Sequence, residues 1–210
     1  MASDAAIGVG SGLGPVAIPR RAKVACLTLL FPLLAFLTSQ THWFPWLAVP
    51  MPPFGVPQTL QTLFVVLAAM AVGPALATAG FLAFLALGAL GAPIFADGNA
   101  GLATILGQTG GYLVGFVACQ PVVGWIVRRA DNSIRGWAAV ATASVAGHAV
   151  VFAIGVPWLW VMHRIDGLGT TPWQAFYGGC VVFLPGMAAK TLMAVILGLL
   201  FVPAVRRRVW

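Results

Sequence analysis

Charge is what this sequence has least of. Only 7% of its 210 residues are Asp, Glu, Lys or Arg, against about 25% in a soluble globular domain. So few ionised side chains cannot cover a water-facing surface, which excludes a soluble enzyme and a disordered tail. Acids are scarcer still. There are four, Asp4, Asp97, Asp131 and Asp166, and none lies in a long apolar run. No apolar segment can therefore hold the carboxylate pair that general acid–base chemistry uses. The three cysteines, Cys26, Cys119 and Cys180, are far apart and form no C-x-x-C. That excludes a disulfide framework and leaves them as small packing residues. There is no nucleophile elbow, no H-E-x-x-H and no phosphate-binding loop; the segment from Gly186 to Thr191 lacks the glycine before Lys190. No metal site, cofactor or enzymatic activity is expected.

What is present is apolar. Hydrophobic residues make up 60% of the chain and mean hydropathy is +0.98. The composition is that of an all-α, polytopic membrane protein. A net charge of +7 raises the possibility of nucleic acid, but the cations fall in short clusters between apolar runs and form no basic face. Nucleic acid is excluded as a partner; the lipid bilayer takes its place.

Residues 1–19 read as a flexible tail, and 20–210 as one domain. The apolar runs predict six spans, over about 24–38, 58–72, 75–90, 109–127, 136–161 and 175–202. Pro157 is expected to interrupt the fifth and Pro185-Gly186 to break the sixth. No A-x-A site follows the first run, so it reads as a span and not as a cleaved signal. Residues 42–57, rich in Pro and Trp, read as an interfacial or re-entrant loop. Residues 91–108 and 163–172 are the other polar loops, with His42 and His163 solvated. With the N-terminus in the cytoplasm, six spans return nine of the eleven Lys and Arg residues to that side: Arg20, Arg21, Lys23, Arg128, Arg129, Arg135, Arg206, Arg207 and Arg208. The positive-inside bias thus predicts an N-in, C-in chain.

Three groups of polar residues stand out. Lys190 lies inside the sixth run with no acid in any span to neutralise it. Such a lysine either snorkels to an interface or faces a polar cavity that receives an anion. Loop residue Asp97 could also fold toward it. The segment Gly107-Gln108-Thr109-Gly110-Gly111-Tyr112 supplies either close backbone approach to a ligand or small-residue helix packing, with Gly111 and Gly115 at G-x-x-x-G spacing. Gln58, Thr59, Gln61 and Thr62 open an apolar helix, as caps and interhelical bonds or as a donor and acceptor array for an uncharged polar ligand. His148, in the fifth span, reads as a hydrogen-bonded packing residue.

These segments carry a resemblance. The run Val56-Pro57-Gln58-Thr59-Leu60-Gln61-Thr62-Leu63 is followed by an apolar helix and Gly73-Pro74. Leu87-Gly88, Gly91-Ala92-Pro93-Ile94-Phe95-Ala96 and Gly107 to Leu113 come next, then Phe183-Leu184-Pro185-Gly186 with Lys190 four residues on. In order and spacing, over about 20–203, the chain resembles the BioY family, the biotin-specific substrate-binding subunit of energy-coupling-factor transporters. The resemblance implies six transmembrane helices in a bacterial inner membrane, a pocket near the outer face, and biotin as ligand. It also implies a transmembrane coupling subunit and two cytoplasmic ATPases as partners. Thr59, Gln61, Phe95, Asn99, Gln108, Thr109, Gly110, Gly111, Tyr112 and Lys190 would surround biotin. Its carboxylate, ureido ring and apolar tail suit a buried lysine, amide and hydroxyl groups, and an aromatic wall. The chain departs from the family where Met187 replaces an acid after Pro-Gly and where Gln108 replaces a proline. The Ala-x-x-x-Ala docking face of the first helix is present only loosely, as Ala22, Ala25 and Cys26. Other readings are a subunit for a different vitamin, or a membrane scaffold without a small ligand.

Overall fold

The apolar runs fold as helices around one central, short member. The computed structural model describes residues 19–43, 45, 49–51, 56–131 and 133–209. The helices are α1 (Arg20–Leu37), α2 (Gln61–Val72), α3 (Pro74–Ala89), α4 (Gly101–Leu106), α5 (Gly110–Val127), α6 (Trp137–Ile165), α7 (Pro172–Gly179) and α8 (Leu184–Val209). Two three-residue strands, β1 (Val49–Met51) and β2 (Val56–Gln58), pair antiparallel with Val49 opposite Gln58. The fold is predominantly helical. Almost all of the expected N-terminal tail and part of the 42–57 loop lie outside the described residues.

The molecule exposes large apolar side chains and buries several polar ones within an apolar core. Leu82, Leu87, Leu192, Leu200 and Phe201 are exposed, whereas Gln40, Gln120, Ser144, His148 and Lys190 are buried. That distribution needs a hydrocarbon solvent. Three segments, Gly110–Val127, Trp137–Ile165 and Pro172–Pro203, are long and apolar enough to cross a membrane. This is a membrane protein.

Helix α2 is buried on every face from Val65 to Val72. At ~1.5 Å per residue its 12 residues extend only ~18 Å, well short of a ~30 Å hydrocarbon core. The flanking α6, with 29 residues, is far longer. A short pillar among longer ones leaves space at one end, and the cavity described below occupies it. At the other end Arg128 closes the helix. Its Nε donates to the Ala69 carbonyl (3.1 Å), and one terminal nitrogen to those of Met70 and Ala71 (3.0 Å each). Last-turn carbonyls have no partner inside their own helix, and a guanidinium offers both hydrogen bonds and charge opposite the helix dipole. Gly73 follows at φ +91°, a left-handed value that favours glycine, and Pro74 starts α3.

The structure corrects three expectations. Pro157 does not interrupt α6, which is continuous from Trp137 to Ile165. The last segment breaks earlier than Pro185-Gly186: α7 ends at Gly179, a 3-10 turn covers Val181–Phe183, and α8 begins at Leu184. Pro185 sits in the first turn of α8, where a missing N–H costs nothing. Lys190 is therefore only ~9 Å from the start of its helix. His163 is not solvated; it lies in the last turn of α6, is buried, and its Nδ1 is 2.9 Å from Thr170 Oγ1.

Candidate functional site

A cavity of about 370 Å³ opens above the N-terminal end of α2, a size suited to a small organic ligand. Its polar and aromatic lining comes from several parts of the chain, with Gly178 and Gly179 of α7 and Phe183 of the 3-10 turn beside them. The first turn of α2 brings Gln61 and Thr62, with Thr59 just before it. The α3–α4 connection brings Phe95 and Asn99, the start of α5 Thr109 and Tyr112, α6 His148 and Phe152, and α8 Met187 and Lys190.

Lys190 is 7% exposed, so it does not snorkel. Its Nζ donates to Thr62 Oγ1 at 3.0 Å. Among the described residues no carboxylate pairs with it; the nearby loop acid Asp97 lies 3.8 Å from His42. Asp97 does line the cavity, but its Oδ1 accepts from the Thr41 backbone N–H (2.9 Å) and hydroxyl (2.5 Å). It ties the α3–α4 connection to the end of α1. Gln40 ties the same two parts, donating from Nε2 to the Phe95 carbonyl at 2.9 Å. The ring of Phe95, 1% exposed, is thereby wedged into the cavity wall.

The remaining polar groups divide into occupied and open. Tyr112 donates its hydroxyl to the Gly179 carbonyl at 2.9 Å, so it clasps α7 while its ring stands edge-on to Phe152. Asn99 donates to the Ala96 carbonyl at 2.8 Å, and Thr59 Oγ1 accepts from the Gln61 backbone N–H at 3.3 Å. Gln61 Nε2, by contrast, is buried with no hydrogen-bond partner. A buried donor without an acceptor is costly, and a ligand carbonyl reaching it would relieve that cost.

Seven of the ten expected ligand residues meet at this cavity: Thr59, Gln61, Phe95, Asn99, Thr109, Tyr112 and Lys190. Three do not line it. Gln108 points to the α6–α7 connection and donates to Asp166 at 3.1 Å. Gly110 and Gly111 serve close packing. A Cβ on Gly110 would strike the Ile105 carbonyl, and one on Gly111 the Trp158 side chain. Of the two readings of this glycine pair, the packing one describes its geometry. Ala22, Ala25 and Cys26 sit in the first two turns of α1, Ala25 and Cys26 exposed and Ala22 half-buried, away from the cavity. The ligand set expected from sequence omits Thr62, His148 and Met187, which line the cavity beside Lys190. Thr62 was visible as part of the polar array opening α2, and His148 as a lone histidine in an apolar run.

The site offers one ammonium, one open amide N–H, hydroxyls and aromatic rings. No group of His, Cys, Asp and Glu among the described residues could hold a metal ion. The site's set of groups is chemically suited to a small, partly apolar anion.

Comparison with known proteins agrees. The chain is 34% identical over 177 residues to a probable biotin transporter BioY of Pyrococcus horikoshii, spanning 84% of this chain and 94% of that one. It is 31% identical over 155 residues to the biotin transporter BioY of Rhodobacter capsulatus, covering 72% and 80%. Its fold matches a crystal structure of the S-component for biotin from an ECF-type ABC transporter with TM-score 0.70 and 23% identity, over 90% of this chain and 92% of that one. The BioY family model matches residues 20–207, and with nearly the whole chain so covered, the protein belongs to the BioY family.

Proposed function

We propose that this chain is the membrane-embedded biotin-binding subunit of a biotin uptake system. The observation that carries the reading is Lys190: a buried cation on a cavity wall, hydrogen-bonded to a neutral hydroxyl and unpaired with any carboxylate among the described residues. An anion is what such a site lacks. The first turn of α2 faces the same cavity, and the positive end of a helix favours an anion there. Gln61 Nε2 provides a donor for the ureido carbonyl, and Phe95, Phe116 and Phe152 provide apolar walls for the ring and tail. The subunit captures the vitamin without covalent chemistry.

The finer reading places α1, α2, α3, α5, α6 and α8 across a bacterial inner membrane, with both termini in the cytoplasm and the cavity near the outer face. Exposed Trp125 beside Arg128 and Arg129, exposed Trp137 at the start of α6, and exposed Trp173 at the start of α7 fit aromatic residues at two membrane interfaces. Import is completed by a transmembrane coupling subunit, docked along α1 around Ala22, Ala25 and Cys26, and by two cytoplasmic ATPases. Equilibrium binding of labelled biotin to the purified chain tests the ligand: saturable binding below micromolar biotin is expected, and none at micromolar biotin overturns it. Co-purification with a coupling subunit tests the assembly.

A further inference from the structure

Lys190 does not reach Thr62 in isolation; the hydrogen bond belongs to a chain that crosses three helices. His148 Nδ1 lies 2.8 Å from the Ser144 carbonyl, and its Nε2 lies 3.2 Å from Thr62 Oγ1. The Ser144 hydroxyl is 3.0 Å from that of Thr191, the residue after Lys190. A carbonyl only accepts, so Nδ1 carries a hydrogen. The Thr62 oxygen already accepts from the Lys190 ammonium. A neutral ring with its hydrogen on Nδ1 satisfies every member: Nε2 accepts the Thr62 hydroxyl hydrogen, and Thr62 turns its lone pair to Lys190. A second cation on the ring would face the ammonium across one oxygen.

We propose that His148 is a positioning residue for ligand charge. Acting through Thr62, it fixes the place at which Lys190 presents its ammonium group to the ligand carboxylate, and so sets the preference for an acid over its neutral analogue. His148 is 1% exposed and lies on the cavity wall, but the hydrogen bonds of both ring nitrogens go to protein atoms. Its contribution is direction. Neither nitrogen has capacity left for the ligand, whereas the ammonium has two donors beyond the one Thr62 takes. The inference rests on the reading that Lys190 meets the biotin carboxylate.

The test compares binding of biotin and of its primary amide to the purified full-length chain. Wild type is expected to prefer the acid by on the order of 100-fold, and Lys190→Met to lose that preference. His148→Leu is expected to weaken biotin about tenfold while leaving the amide unchanged. His148→Gln, whose amide oxygen can accept in place of Nε2, restores most of the loss. Thr62→Val, nearly isosteric, reproduces the selective loss even if His148→Leu does not fold. Equal weakening of both ligands by His148→Leu and Thr62→Val would make the network merely structural and overturn the inference. So would a preference for the acid that survives both. A wild-type chain that binds acid and amide equally removes the underlying reading, and the inference with it.

Discussion

The two ends of α2 solve opposite problems with a cation apiece. At the C-terminal end Arg128 spends its donors on the carbonyls of Ala69, Met70 and Ala71, and the end is closed. At the N-terminal end Lys190 has one hydroxyl partner, Gln61 has an open amide, and a cavity remains. A planar fork with several fixed donors suits a cluster of carbonyls, whereas a compact ammonium on a flexible stem suits a site that must accept and release a ligand. The charge is the same; what differs is how much of its hydrogen-bonding capacity the fold consumes. One end is consumed by the fold, and the other is the end to which we assign the ligand.

Several substitutions would sharpen or break this contrast. Lys190→Ala should have the largest effect, weakening biotin binding by roughly 2–5 kcal/mol, as for one member of a buried charge pair. Calorimetric titration of the purified chain would show it, and unchanged affinity would sink the role assigned to the ammonium. Arg128→Leu should act on the other quantity. Uncapping three buried carbonyls is expected to cost about 2–3 kcal/mol of stability, read as a lower melting temperature, with biotin affinity per folded molecule retained. Arg128→Lys should recover only part of it, since a point charge cannot serve the carbonyls together. Gln61→Leu should weaken biotin by about 1–2 kcal/mol if its amide meets the ligand; tighter binding would show that the open donor is a liability. Tyr112→Phe comes last. Losing the bond to the Gly179 carbonyl should cost about 1 kcal/mol, seen as faster amide exchange in α7.

Much of this was readable from sequence, for reasons that also mark its limits. Helix positions follow from hydropathy, and the α2–α3 turn from Gly73-Pro74, where helix geometry cannot continue. Lys190 announced itself by charge alone in an apolar run. Pro185 looks like a breaker, yet proline is at ease in a first turn, and the chain breaks before it. The residues that do unwind, Val181–Phe183, are as apolar as any helix. Arg128 read as a topological signal, because the carbonyls it caps lie 57 to 59 residues earlier in sequence. Gly110 and Gly111 left two readings open, since contact with a ligand and contact with Trp158 demand the same absence of a side chain. Thr62 and His148 each stand out in sequence, but their partnership joins positions 86 residues apart, beyond any local pattern.

The tie between α1 and the α3–α4 connection has a mechanical consequence. Gln40 grips the Phe95 carbonyl, and Asp97 receives two hydrogen bonds from Thr41, so the far end of α1 is stapled to a wall of the cavity. The near end carries Ala22, Ala25 and Cys26. Helix α1, 18 residues with Pro32 inside it, runs between the two, so removing the Gln40 and Thr41 hydrogen bonds would free the Phe95 wall from the segment that follows α1.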